Sequence, residues 1–296
     1  MNVLVIGVGR IGGGLVYELV KHGGCNIWLY GRNYIKTQGL AVDLREVNSA
    51  VNINVLEQLS EMPSIDLTIF AFSELQWHAD IQVNDRIIDA RTNLKIIDAI
   101  AAQVSLSALG TIIIISNPVD ILSRYCYEKY GAVKVYGFGN ALDELRLNNS
   151  IYPTTLKDGR SKCICIGEHG SSMVPVLSHV LNEAQLNAAE YSRIKTLVFE
   201  RTQEIIQKVS IPFYAPLYAL TELILTMINK ESKQLTLSCY LHSDYKGQSG
   251  LSIGVPVEIQ SGHIGSILSI NLSDYEQSLF EASAQSLRHQ YQQLLM

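Results

Sequence analysis

The chain has 296 residues, 47% hydrophobic and 17% charged, which suits one large domain or two ordinary ones with a buried core and excludes a disordered chain. A net charge of −5 leaves no basic footprint for nucleic acid. No apolar run nears the roughly 20 residues that span a bilayer, and the opening MNVLVIGVGRIGG lacks the basic region of a secretion signal.

NVLVIG reads as a short buried strand, and RIGGGLVYELVKH as a helix with Ile11, Leu15 and Leu19 on one stripe. Across the junction runs Gly7-Val8-Gly9-Arg10-Ile11-Gly12, the GxGxxG order of a dinucleotide site. There Gly7 would turn the chain, Gly9 would let backbone approach a pyrophosphate, and Gly12 would let the helix pack closely, its N-terminus facing the anion. Such a run alone is also a plain glycine-rich turn; its place between strand and helix favours the nucleotide. Gly13 and Gly14 extend it, for closer approach still. NIWLY reads as the second strand. An acid about 20 positions on from the glycines would hold the ribose hydroxyls of NAD, but Gly31-Arg32-Asn33 stands there instead. Gly31 removes both that acceptor and the repulsion of a 2′-phosphate. Arg32 offers a guanidinium to such a phosphate, and Asn33 a neutral donor. The cofactor is therefore expected to be NAD or NADP, with NADP favoured; in the alternative, Arg32 points to solvent and NAD binds loosely.

IDLTIFAF and TIIIIS read as further strands, and DRIIDARTNLKIIDAIAAQV between them as a long amphipathic helix. Ile- and Val-rich strands separated by helices predict a doubly wound parallel sheet with right-handed connections. Ser116-Asn117-Pro118-Val119-Asp120 closes the TIIII strand at the carboxyl edge, where such sheets bind ligands. Asn117 can present an amide there, although Asn-Pro is also ordinary turn punctuation.

Near residue 140 the texture changes to α+β. NALDELRLNNSI, EAQLNAAEYSRIKTLVFERTQEIIQKV and YAPLYALTELILTMIN predict helices; QLTLSCYL, LSIGVPVEI and SILSINL predict strands. DYEQSLFEASAQSLRHQYQQLL closes as a helix, with Ser273-Asp274 as its N-cap. The expected division is a Rossmann dinucleotide-binding domain over 1–139 and an α+β substrate domain over 140–296, tightly packed. Five scattered cysteines (Cys25, Cys126, Cys163, Cys165, Cys239) include no CxxC pair. Neither a disulfide framework nor a metal site is expected, and the chain reads as cytoplasmic. Cys163 and Cys165 read as small core residues.

CIGEHGSS sets His169 between glycines at a strand end. It is either a turn residue touching solvent or a general acid/base aimed at a substrate. Asp143 and Arg146 in LDELR share one helix face, as a surface ion pair or as separate partners of a histidine and a carboxylate ligand. His179, His242, His263 and His289 lack such partners and read as surface residues; His22 ends a helix.

VIGVGRIG, SNPVD, LDELR and IGEHGSS, in this order and spacing, resemble the L-lactate/malate dehydrogenase family; IPFYAPLYAL, IGVPVEI and the closing helix extend the likeness over essentially the whole chain. The resemblance implies an L-2-hydroxyacid dehydrogenase. His169 matches the proton-shuttling histidine, Asp143 its carboxylate partner, and Arg146 the arginine that binds the substrate carboxylate. Asn117 matches the asparagine near the substrate oxygen. Arg86 matches the loop arginine that polarises the carbonyl, and Asn93 an asparagine on the nicotinamide side. With the glycines, Ile11, Gly31 and Arg32, these make up the candidate site.

The loop before Arg86, FSELQWHADIQVN, is longer than in common members and is similar to that of the hydroxyisocaproate dehydrogenase branch. Substrate selection falls at Asp80 or a near neighbour, with His78 and Gln76 upstream. A malate enzyme needs an arginine in this loop, and none lies between Phe72 and Asp85. With Glu74 and Asp80 adding negative charge, an apolar 2-oxo monocarboxylate is expected. Asn148 stands where sugar-bisphosphate-activated lactate enzymes have an arginine, so no such activation is expected. A malate dehydrogenase, a catalytically idle nucleotide-binding relative and a metal-assisted nicotinamide-dependent glycosidase are the competing readings. A homodimer or homotetramer is expected, with no nucleic-acid or membrane partner.

Overall fold

Strand β1 (Asn2–Ile6) carries Val3, Leu4 and Val5, all fully buried, as a strand covered on both faces must. The computed structural model describes residues 1–73, 84–151, 162–180, 187–209 and 211–295, with residues 84–89 described by backbone alone. After β1 come α1 (Arg10–His22), β2 (Asn26–Tyr30), α2 (Tyr34–Val47), β3 (Ile53–Val55), β4 (Leu67–Phe70), α3 (Asn84–Ala101), β5 (Thr111–Ile114), α4 (Val119–Tyr130) and β6 (Val135–Gly137). The second half adds α5 (Asn140–Ile151), β7 (Ile164–Ile166), β8 (Val174–Val176), α6 (Ala188–Val209), α7 (Tyr214–Ile228), β9 (Lys233–Tyr240), β10 (Ser252–Gln260), β11 (His263–Ile267) and α8 (Asp274–Leu295).

The sheet runs β11-β10-β9-β6-β5-β4-β1-β2-β3. From β3 to β6 all pairings are parallel, in the order 3-2-1-4-5-6, which is that of a doubly wound dinucleotide fold. The fold is thus the α/β Rossmann sheet expected, followed by α+β structure. Three antiparallel strands continue the same sheet: β9 meets β6 at the single register pair Gly137↔Ser238, and β10 and β11 follow. Strands β7 and β8 form a separate hairpin.

The topology reverses between β1 and β4, opening a crevice beyond their carboxyl ends. Gly7, Gly31, Ala71, Asn117 and Gly139 all lie on that edge, just after β1, β2, β4, β5 and β6. Short strands β3, β6 and β8 have three residues each and were not marked by the apolar pattern. SILSINL is only partly a strand: β11 is His263–Ile267. Beyond it Leu268 N–H donates to Pro256 O at 2.8 Å, and Pro256 has no N–H to return, so the ladder stops there.

Candidate active site

His169 follows β7, and its Nδ1 lies 2.6 Å from Asp143 Oδ2. Asp143, in the first turn of α5, is buried. One turn on, Arg146 Nη1 approaches the other carboxylate oxygen at 3.5 Å. Asp143 and Arg146 are only 4% and 9% exposed, which removes the surface ion-pair reading. Arg146 Nε is buried with no hydrogen-bond partner among the described residues; one edge of a fixed guanidinium fork remains for a ligand carboxylate. Burial pushes the Arg146 pKa down, against the pull of Asp143. For His169, burial favours the neutral ring, yet the charge and hydrogen bond of Asp143 and the charge of Asp120 outweigh it, and the pKa is raised. With Nδ1 committed to Asp143, Nε2 is the atom left to exchange a proton.

The backbone leading to His169 is tied down residue by residue. Gly167 exchanges both backbone hydrogen bonds with Gly254 of β10, and Asn140 Nδ2 donates to its carbonyl at 2.9 Å. Glu168 N–H donates to Ser283 Oγ of α8 at 2.8 Å, and His169 N–H to Asp120 Oδ2 of α4 at 2.9 Å. The imidazole packs against Gly139, where an added Cβ would overlap the ring carbons. Gly139, Asn140, Asp120 and Gly254 carried no assigned role in the sequence; their only signal there was a place in or beside GFGN, SNPVD and IGVPVEI.

The glycines of the run differ in the space around them. Gly7 has φ +96°, and a Cβ there would meet Ala71 O at 2.6 Å. A Cβ on Gly12 would overlap Gly7 O, while Gly9 faces open space with nothing within 4 Å of the same point. That opening lies before the α1 N-terminus, a position that favours an anion. Ile11 packs partly buried against the core. The close approach at Gly14 serves the protein instead: a Cβ there would stand 3.0 Å from the Phe213 ring beside α7.

Gly31 has a packing reason to be glycine. A Cβ at Gly31 would overlap Oγ1 of buried Thr37 and lie 3.1 Å from Val8. Arg32 is exposed, and Asn33 caps α2, its Oδ1 accepting from Lys36 N–H at 2.9 Å. Asn93 and Asn117 are brought together: buried Asn93 donates through Nδ2 to Asn117 O at 2.7 Å, and its Oδ1 has no partner among the described residues. The Asn117 side chain is exposed. Arg86 lies in α3. Its side chain, and the loop with Glu74, Gln76, His78 and Asp80, fall outside the described residues. His22, His179, His242, His263 and His289 are exposed, and Cys163 and Cys165 are buried. Among the described residues no cluster of His, Cys, Asp and Glu could hold a metal ion. A cavity of about 460 Å³ between α2 and the outer strands, lined by Trp28, Tyr34 and Arg45, involves none of these site residues.

The family model of the lactate/malate dehydrogenase alpha/beta C-terminal domain matches residues 141–295, over half of the chain. The chain belongs to the lactate/malate dehydrogenase family. A second model, ketopantoate reductase PanE/ApbA, matches residues 3–98. An L-lactate dehydrogenase of Lactococcus lactis subsp. cremoris is 28% identical, covering 97% of this chain and 96% of its own. An L-2-hydroxycarboxylate dehydrogenase (NAD(P)(+)) of Methanocaldococcus jannaschii is also 28% identical, covering 97% of both. The malate dehydrogenase of Archaeoglobus fulgidus in complex with NADH superposes with a TM-score of 0.86 over the whole of both chains, at 21% identity. A lactate dehydrogenase from a deep-sea metagenome gives 0.85 at 22% identity, covering 100% of this chain and 99% of its own. These structural likenesses establish the fold. Among the described residues no single helix is long and apolar enough to cross a membrane.

Proposed function

We propose that this family member is an L-2-hydroxyacid dehydrogenase interconverting a small 2-oxo monocarboxylate and its L-2-hydroxy acid, carried above all by the 2.6 Å contact between His169 and Asp143. A bound nicotinamide dinucleotide supplies the hydride chemistry. In ketone reduction, charge grows on the carbonyl oxygen, and protonated His169 donates from Nε2; in oxidation the neutral ring takes the hydroxyl proton. Asp143 holds the ring and favours its charged form. Arg146 grips the substrate carboxylate in a bidentate fork, fixing the reacting carbon relative to the imidazole. Arg86 is assigned to polarise the carbonyl with water excluded, and Asn117 to the substrate oxygen. Gly7, Gly9, Ile11 and Gly12 are assigned to the pyrophosphate loop, and Asn93 to the nicotinamide side. In this reading 1–139 is the nucleotide-binding half and 140–296 the substrate half.

The arginine-free loop from Phe72 to Asp85 supports an apolar substrate side chain. Arg32 in place of an acid supports use of NADP. Five free cysteines suit the reducing cytoplasm. Exposed tyrosines on α1 and α7 suit a homo-oligomer. The test is kcat/KM across pyruvate, branched-chain 2-oxo acids and oxaloacetate, with NADH and NADPH, for the wild type and Arg32→Ala. A branched or small monocarboxylate should lead the panel, and Arg32→Ala should lower kcat/KM for NADPH more than for NADH. Oxaloacetate as best substrate would make the chain a malate dehydrogenase, and no turnover at all would overturn the enzymatic reading. Arg32→Ala is a cleaner probe than Gly31→Asp, which must also displace Thr37.

A further inference from the structure

Two carboxylates, from two different helices, converge on His169. Asp143 takes the ring nitrogen, and Asp120 takes the backbone: its Oδ2 accepts from His169 N–H at 2.9 Å. Asp120 is 2% exposed and lies in the first turn of α4, where the helix N-terminus favours an anion. Burying a charged carboxylate is costly unless it is hydrogen-bonded or paired. Its other oxygen, Oδ1, has no hydrogen bond of ordinary geometry among the described residues, and neither has Ser238 Oγ on β9, although Ser238 stands close enough to favour the Asp120 anion. Ser238 itself stands at the sheet seam, paired with Gly137 of β6.

We propose that Asp120 is a positioning residue for the acid/base. It ties the His169 backbone to the nucleotide-binding half and adds a second negative charge to the field that favours the protonated imidazole.

Chain connectivity supports this. His169 sits on the substrate side of the chain, whereas α4 follows β5 of the parallel sheet. The Asp120 bond is therefore a strut between the element that holds the imidazole and the sheet that holds the nucleotide site. Hydride transfer and proton transfer must meet at one carbonyl group, and a misplacement of about 1 Å can cost about a hundredfold in rate. Among the described residues, the charged groups facing His169 are Asp143 and Arg146 from α5 and Asp120 from α4. Neighbouring Glu168 turns away: it accepts from Ser172 Oγ and from Gln290 Nε2 of α8, and it acts on Asp120 by repulsion. Burial raises the Asp120 pKa to about 6, against the pull of Ser238 and His169. Its charge is thus present at neutral pH and fades in mild acid.

The catalytic consequence rests on the dehydrogenase reading, but the field at the ring does not, so the experiment has two arms. Asp120→Asn is isosteric and keeps an acceptor for His169 N–H while removing the charge; Asp120→Ala removes both. In the first arm, histidine labelled at Cε1 is titrated by NMR, with the His169 resonance assigned by its absence in His169→Gln. In Asp120→Asn it should titrate at lower pH than in the wild type. In the second arm, the pH at which ketone reduction falls should move down by a similar amount in Asp120→Asn, with substrate KM almost unchanged. In Asp120→Ala kcat should fall about tenfold or more. A His169 titration in Asp120→Asn that coincides with the wild type overturns the proposal, even if turnover drops, because that drop would then be merely structural. If no 2-oxo acid is turned over by the wild type, the proposed function fails while the NMR arm still decides the role of Asp120.

Discussion

At the scale of single residues, the site depends on charges held where water cannot dilute them. His169 would lose its proton easily if burial acted alone, since desolvation disfavours imidazolium. The Asp143 carboxylate at 2.6 Å reverses that, and the net pKa is raised. The sign of the pH dependence follows. Ketone reduction needs the protonated ring, so its kcat/KM should hold below the His169 pKa, which is raised above the ordinary histidine value, and fall as pH rises through it. Alcohol oxidation needs the neutral ring and should climb over the same interval. In Asp143→Asn both limbs should move to lower pH, because the stabilising charge is gone, and turnover should drop by roughly a hundredfold or more. His169→Ala should lose as much while still binding dinucleotide, because the glycine loop lies on a different strand end. Rate profiles that keep their wild-type midpoints in Asp143→Asn would remove that residue from its role.

At the scale of elements, one buried carboxylate joins the second half together. Glu276 is fully buried at the third position of α8 and accepts from Leu177 N–H, Ser178 N–H, Ser178 Oγ, Tyr191 Oη and Ser273 N–H, at 2.6–2.9 Å. With Ser273 Oγ accepting in return from Glu276 N–H at 3.3 Å, this is a capping box that also clamps the end of β8 and helix α6. Burial opposes the charge, but the donors from Ser178, Tyr191 and the backbone prevail and the pKa is lowered. Its stabilisation is therefore present above the ordinary glutamate pKa of about 4.3 and lost as pH falls through the lower folded value. Glu276→Gln should cost about 2 kcal/mol at pH 7, on the scale of a hydrogen bond to a charged group. A thermal melt should show it, with the gap to wild type narrowing in acid; equal melting temperatures at pH 7 would refute the hub. Ser273 was legible as a cap from SDYE alone, but the partners of Glu276 lie about 100 residues away and no local pattern marks them. The same division runs through the site. GxGxxG, LDELR and EHG were readable because each concentrates its chemistry within a few residues. Asp120 and Asn140 were not, because their work is a contact across the fold. The packing of Gly31 on Thr37 was hidden too, since six residues of capped turn bring them together.

At the scale of the whole molecule, the nine-stranded sheet makes the two halves one body, yet α1 and α7 leave a face uncovered. These helices pack together, with Gly14 letting Phe213 and Leu217 approach. On the outer side Tyr214 is 82% exposed, Tyr218 58% and Tyr17 42%. Tyr214 and Tyr218 are four residues apart and so share one face of α7. A solitary exposed apolar residue needs no explanation. Several aromatics gathered on adjoining helices do, and aromatic residues are the ones enriched in protein interfaces. We propose a homo-oligomer that buries this face: two copies can bring the same patch together about a twofold axis, which is the commonest closed assembly. The candidate site lies at the carboxyl edge of the sheet rather than on this face, so assembly and chemistry can be disturbed separately. Light scattering should give at least twice the 32.8 kDa chain mass for the wild type. The double variant Tyr214→Glu, Tyr218→Glu should shift it to the single-chain mass, since burying two new charges against their symmetry mates is unfavourable. A wild type that scatters as a single chain at micromolar concentration would show that this face meets solvent after all.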